Sequence, residues 1–253
     1  MKVAAYQAPL EATHCPDILG LIRKQIDWCE LNDVQILCCP EAVLGGLADY
    51  AGQPIELAIN VDSGELARVL APLTSDSVTT ILGFTEMDEE RRLYNSAAVF
   101  HKGSVIGTYR KVHPFINKSI YNAGSESPVF TIGDLTFGII ICLDSHYEEP
   151  ARTMVAKGAS LLFIASNNGM PQARGGAELV TEARKLDVAL ARENDVYVIR
   201  ADVAGHSGNL VSYGSSVVVD RQGKVLQSGT PLMPCLIVAN IEAQKREIAA
   251  ARS

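Results

Sequence analysis

D-L-T-F-G-I-I-I-C-L-D, residues Asp134 to Asp144, is the stretch around which this chain is organised. Gly138 through Ile141 is an apolar, β-branched run, the pattern of a strand covered on both faces. The run stops at Cys142, and Leu143-Asp144-Ser145-His146 turns polar at once, ahead of a helical segment carrying Glu148, Glu149 and Arg152. Open α/β sheets bind ligands at the carboxyl ends of their strands. A sharp bend from strand to helix is also a geometry that holds a nucleophile rigidly. Free cysteine is equally at home as an inert core residue, so the rest of the chain decides between the two.

Upstream, Lys2 to Tyr6 reads as a strand, Asp17 as the cap of a helix running to about Leu31, and Val34 to Cys39 as a second strand closed by Pro40-Glu41. This is a βαβ-like order. Leu47 to Asn60 is irregular and suited to covering a site. A helix from Glu65 to Leu73, capped by Ser63, precedes a strand over Val78 to Thr85. Lys102-Gly103 joins Leu93–His101 to Ser104–Arg110 as a hairpin. Phe115 to Ser127 is loop-like. Downstream, a helix from Tyr147 to Lys157 ends at Gly158, and strand Ser160–Ala165 ends at Ser166-Asn167-Asn168. A long helix over Glu178–Glu193 places Leu179, Ala183, Leu186 and Leu190 on one face. Strand Val196–Ala201, a hairpin around Gln222-Gly223 and strand Leu236–Ile241 complete the pattern. No repeat or linker divides residues 1–253, so the expectation is a single domain. About a dozen strands exceed what one open twisted sheet carries comfortably. Two sheets packed face to face with helices outside, a four-layer α-β-β-α sandwich of α/β class, satisfy the pattern.

Composition narrows the function. With 47% hydrophobic and 20% charged residues the chain can bury a substantial core. A net charge of −7, from 22 basic and 29 acidic residues, argues against nucleic acid, which needs clustered Lys and Arg. No run reaches the ~18 apolar residues of a membrane span, and the opening M-K-V-A-A-Y-Q-A-P-L is too soon interrupted for a secretory signal. The expectation is a cytoplasmic protein without a membrane partner. Cys15, Cys29, Cys38, Cys39, Cys142 and Cys235 form no C-x-x-C pair, which points away from zinc and, in a reducing compartment, from disulfides.

Three strand ends stand out: Pro40-Glu41, Tyr109-Arg110-Lys111 and Ile141-Cys142-Leu143-Asp144. Glu, Lys and Cys in that order, each at such an end, resemble the nitrilase superfamily of carbon–nitrogen hydrolases. The resemblance runs over essentially the whole chain and includes Gly103-x3-Gly107-x-Tyr109-Arg110-Lys111, Gly138-x3-Cys142-x-Asp144, Lys157-Gly158-Ala159, Ser166-Asn167, Ala191-Arg192-Glu193-Asn194 and Tyr213-Gly214-Ser215-Ser216. It implies the α-β-β-α sandwich, a homodimer or higher homo-oligomer, no cofactor or metal, and a catalytic set of Glu41, Lys111 and Cys142 acting on a small amide. It also implies pocket positions at Tyr147 and Asn168, and an oxyanion contact from the backbone of Leu143. Asp144 and Arg152 are expected to brace the loop after the cysteine.

The chemistry of the set stands without the family. A thiol near its ordinary pKa is only slightly ionised at neutral pH and needs a base or a neighbouring cation. Glu41 is suited to take the thiol proton, and Lys111 to favour thiolate and oxyanion. One position departs from the pattern. Family members often carry a second glutamate where this chain has Asn117, which can hydrogen-bond but supplies no negative charge. Three rival readings follow: nitrile or carbamoyl hydrolysis by the same set, a Cys–His hydrolase using His146 or His113, and a non-catalytic binding protein that has kept the fold.

Overall fold

The structure is a computed structural model in which residues 1–15, 17–114, 119–174 and 176–242 are described. Its strands are β1 (Lys2–Pro9), β2 (Ile36–Cys38), β3 (Ile59–Asn60), β4 (Thr79–Met87), β5 (Leu93–His101), β6 (Ser104–Arg110), β7 (Val129–Ile132), β8 (Leu135–Ile141), β9 (Leu161–Ala165), β10 (Met170–Pro171), β11 (Tyr197–Ala201), β12 (Val203–Ser207), β13 (Leu210–Ser212), β14 (Val217–Val219), β15 (Val225–Ser228) and β16 (Cys235–Asn240). The helices are α1 (Ile18–Leu31), α2 (Glu65–Leu70), α3 (Ala151–Ala156) and α4 (Ala177–Asn194).

Two sheets result. The first runs β10-β13-β12-β1-β2-β4-β5-β6, with β16 also on β1 and β3 on β4; the second runs β15-β14-β11-β9-β8-β7. β1, β2 and β4 are mutually parallel, as are β8, β9 and β11, while hairpins form the edges. The alternation of side chains along each strand builds the layers. Val3 and Ala5 of β1, with Ile36 and Cys38 of β2, face the second sheet and pack into a core with Phe137, Ile139 and Phe163. Phe137 and Phe163 meet edge to face at 5.3 Å between ring centroids. Ala4, Tyr6, Leu37 and Phe84 point the other way, onto Ile22 and Ile26 of α1 and Leu66 and Leu70 of α2. Met154 of α3 and Leu190 and Ala191 of α4 cover the outer face of the second sheet. The result is the α-β-β-α sandwich. No helix among the described residues is long and apolar enough to cross a membrane.

Several local expectations change. Asp17 sits at the N-cap of α1 but makes no side-chain capping bond, and Gly64, in the left-handed region at φ 72°, rather than Ser63 caps α2. The segment after Cys142 is not one helix from Tyr147. Cys142–His146 is a 3-10 turn, and α3 starts only after Pro150, which leaves Glu148 and Glu149 outside it. The β12–β13 hairpin was not anticipated, because Val203–Ser212 is short and interrupted by glycines at 205 and 208. The β5–β6 hairpin falls where expected, with Lys102 and Gly103 both at positive φ, as a two-residue type I′ turn requires.

Candidate active site

The carboxyl ends of β2, β6, β8, β9 and β11 converge on one cavity of about 250 Å³. Its polar floor contains Glu41, Asn95, Lys111, Cys142, Asn167, Asn168 and Arg200; Leu47, Tyr50, Leu143, Met170, Leu179 and Leu186 supply apolar walls.

Glu41 follows β2 directly and is 2% exposed. Its Oε1 accepts from Lys111 Nζ at 2.6 Å and Asn95 Nδ2 at 2.7 Å, and its Oε2 accepts from the backbone N–H of Asn167 at 2.9 Å. Two of these donors come from the first sheet and the third from the second, so the carboxylate ties the sheets together at the site. The turn after Glu41 needs unusual backbone: Ala42 has φ 47°, and Gly83 of β4 lies so close that a Cβ there would sit 2.5 Å from the carbonyl oxygen of Pro40.

Lys111 follows β6, and its backbone N–H donates to the carbonyl of Asn95 at 2.8 Å. Burial works to lower its pKa, but the adjacent Glu41 carboxylate outweighs it and raises the ammonium above its ordinary value, so Lys111 stays charged.

Cys142 stands at the bend with φ 44°, a region L-residues seldom occupy and which costs about 1–3 kcal/mol. Asp144 holds that bend. Its buried carboxylate accepts from Tyr109 Oη at 2.6 Å and from the backbone N–H of His113 at 2.7 Å, joining the elbow to the end of β6. The Cys142 thiol is pushed up to about 12, first by burial and then by the charge of Glu41, with Lys111 and Arg200 acting in the opposite sense. At neutral pH it is therefore a thiol, which needs a proton acceptor before it can act as a nucleophile.

Of the residues singled out from sequence, Glu41, Lys111, Cys142, Leu143 and Asn168 line this cavity. Asn117 lies outside the described residues. Tyr147 does not line the cavity; it is 45% exposed and its ring stacks on His113 at 3.7 Å, because the 3-10 turn ends before it and sends the chain outward. Arg152 does not brace the elbow: it pairs with Glu148 on the surface at 2.7 Å. His146 borders the cavity and His113 contacts Asp144, but neither hydrogen-bonds Cys142 among the described residues; the sulfur's hydrogen-bond acceptor is Asn168 Oδ1 at 3.9 Å.

Four contributors were missed. Asn95 breaks the apolar character of β5, a strand position where Asn is disfavoured, and that was the available signal. Arg200 is a charge inside the apolar run of β11, 2% exposed and paired with Asp187 of α4 at 2.9 Å. Its Nη2 also donates to Ser145 Oγ at 3.2 Å, and its Nη1 to Ser166 Oγ. Tyr121 ties the cover over the site: its hydroxyl accepts from the backbone N–H of Ala48 and bonds Thr85 Oγ1, both at 2.8 Å. Asp202, just past β11, fixes Asn168.

The family model for carbon-nitrogen hydrolases matches residues 2–250. The chain belongs to that family, within the nitrilase superfamily. It is 30% identical over 223 residues to a nitrilase of Pyrococcus abyssi, which spans 87% of this chain and 81% of that protein. Two solved structures share the carbon-nitrogen hydrolase fold. One is a glutamine-dependent NAD+ synthetase from Acinetobacter baumannii, with TM-score 0.80 and 19% identity, over 94% of this chain and 44% of that one. The other is a Glu-to-Gln mutant of an amidase from Nesterenkonia sp. AN1 with the acetamide moiety of fluoroacetamide added covalently at its active-site cysteine, with TM-score 0.75 and 21% identity, over 95% of this chain and 90% of that one.

Proposed function

We propose that this chain hydrolyses the C–N bond of a small linear amide with an uncharged acyl group, through a thioester on Cys142. The observation that carries the reading is the buried Glu41–Lys111 pair, 2.6 Å apart, in the same cavity as the elbow cysteine. The covalent cysteine adduct of the Nesterenkonia amidase supports a nucleophilic role for Cys142.

In the proposed cycle Glu41 takes the thiol proton as the sulfur attacks the amide carbon. The carbonyl π pair moves onto oxygen, where Lys111 and the backbone N–H of Leu143 stabilise the oxyanion. Glu41 then gives its proton to the amide nitrogen, the C–N bond breaks and ammonia or an amine leaves. Water enters, loses a proton to Glu41 and attacks the thioester. The second tetrahedral intermediate collapses with cleavage of the C–S bond, the sulfur regains a proton from Glu41, and a carboxylic acid departs. One carboxyl serves as base and acid in turn.

The acyl preference follows from the walls. Leu47, Tyr50, Met170, Leu179 and Leu186 are apolar, and both cations that line the cavity among the described residues are paired, Lys111 with Glu41 and Arg200 with Asp187. A substrate carboxylate finds no unpaired cation there. Ammonia release over a panel of short aliphatic amides, their ω-carboxylated counterparts, carbamoyl compounds and the matching nitriles tests the reading. Uncharged amides should exceed ω-carboxylated ones by at least about tenfold in kcat/KM, and Cys142→Ala should abolish release. Undiminished turnover in that variant would overturn it. The likeness to the Pyrococcus nitrilase keeps nitriles in the panel as the second reading.

A further inference from the structure

Asp202 is fully buried and carries five hydrogen-bond donors but no ion pair among the described residues. Its Oδ1 accepts from the backbone N–H groups of Asn168 at 3.0 Å and Val203 at 2.8 Å. Its Oδ2 accepts from Asn168 Nδ2 at 2.9 Å, and from the N–H and hydroxyl of Ser215 at 2.9 and 2.7 Å. Because the Ser215 hydroxyl spends its hydrogen on Asp202, it turns a lone pair toward Asn168 Nδ2, 3.1 Å away. Both hydrogens of the Asn168 amide nitrogen are therefore engaged. Turned over, the amide would set its oxygen against a carboxylate oxygen and a hydroxyl lone pair. Asn168 Oδ1 is thus held toward the cavity, where Cys142 Sγ donates to it at 3.9 Å.

We propose that Asp202 is a positioning residue that locks the Asn168 amide so as to present a fixed acceptor beside the Cys142 sulfur. That acceptor receives an N–H of the substrate's carboxamide and thereby favours amides over nitriles, whose nitrogen carries no hydrogen. The selection rests on the hydrolytic reading above; the locking of Asn168 does not. Burial and the charge of Glu41 raise the thiol, and the charge of Asp202 acts on it in the same direction through space, an effect that a double-mutant cycle separates from positioning.

The test is a double-mutant cycle over Asp202→Asn and Asn168→Ala, with Ser215→Ala as a third variant that keeps the carboxylate. One readout is the pH profile of Cys142 alkylation by iodoacetamide, followed on its own peptide by mass spectrometry. Asp202→Asn releases the amide to turn its N–H groups to the sulfur, so the profile should move to lower pH. The larger part of that shift should be lost when Asn168→Ala is already present. Ser215→Ala should move the profile in the same direction by less, and it carries the test if Asp202→Asn does not fold. The second readout is kcat/KM: Asp202→Asn should lower it about tenfold for a short amide, without a matching fall for the corresponding nitrile. A profile shift that survives undiminished in the Asn168→Ala background would show that Asp202 acts through its charge, and would overturn the proposal. An equal fall on amide and nitrile overturns the selection. A wild-type protein that cleaves neither substrate defeats the hydrolytic reading, while the alkylation cycle still decides whether Asp202 positions Asn168.

Discussion

Three donors converge on the Glu41 carboxylate, and each asks something different of it. Lys111 pairs with it as a cation, while Asn95 and the backbone of Asn167 fix its plane. Glu41→Gln keeps the shape but cannot accept the thiol proton, so amide turnover should fall by about 10²–10⁴, read as ammonia release. Lys111→Met removes the neighbouring cation that works to lower the thiol pKa, so Cys142 should alkylate roughly tenfold more slowly at pH 8. Unchanged or faster alkylation would contradict the electrostatic role given to Lys111. At this scale the sequence was most informative for residues that end strands. Glu41 and Cys142 each follow a recognisable apolar run and Lys111 a strand marked by its hairpin, whereas Asn95 and Arg200 lie inside strands, where their position in the run does not reveal which face they occupy. Tyr147 misled for a related reason: a single residue more or less in the turn after Cys142 decides whether a side chain faces the cavity or the solvent.

Among the elements, α4 does two jobs with one face. Leu190 and Ala191 pack on the second sheet while Leu179, Ala183 and Leu186 wall the cavity, so the apolar spacing visible in the sequence does not separate core from pocket. Asp187 lies on the same buried side and anchors Arg200, both almost fully buried. Arg200→Met leaves the Asp187 carboxylate buried without its cation and should cost about 3–5 kcal/mol of stability, measured by urea denaturation. Replacing both partners with apolar residues of similar volume should recover most of that loss, and a single variant as stable as wild type would contradict the buried pair. The Ala48–Tyr50 turn shapes the site through a non-local contact with Tyr121, and the β12–β13 hairpin begins directly after Asp202. Short glycine-interrupted segments of this kind carry too little periodicity to be read before the sheets are assembled.

For the whole molecule, two cores on either side of the first sheet explain why so many strands are apolar throughout. The layer count was legible in the sequence because strand number alone exceeded one comfortable sheet; the order of strands was not, since it depends on pairings far apart in the chain, such as β1 with β16. The cores also hold many proton-bound groups. Burial pushes the thiols of Cys29 and Cys142 and the phenols of Tyr6 and Tyr121 each up to about 12, and raises Cys38 and Cys39 as well. In the unfolded chain thiols ionise near about 8.5 and phenols near about 10. Over the interval between those values and the folded ones, the fold binds more protons at these groups than the unfolded chain, so the stability they contribute is fully present below about pH 8.5 and declines as pH rises. The urea midpoint should therefore fall progressively from about pH 8.5 upward; a flat profile to pH 11 would contradict the burial of these groups.

In the proposed cycle everything turns on Cys142 carrying the acyl group of an amide. The direct measurement is peptide mass spectrometry of the protein quenched in acid during turnover of a short aliphatic amide, with ammonia release followed in parallel. The acyl mass is expected on the peptide containing Cys142, with loss of both the adduct and ammonia release in Cys142→Ala. Ammonia released at an undiminished rate by that variant, with no acyl group on Cys142 in the wild type, would contradict the cycle.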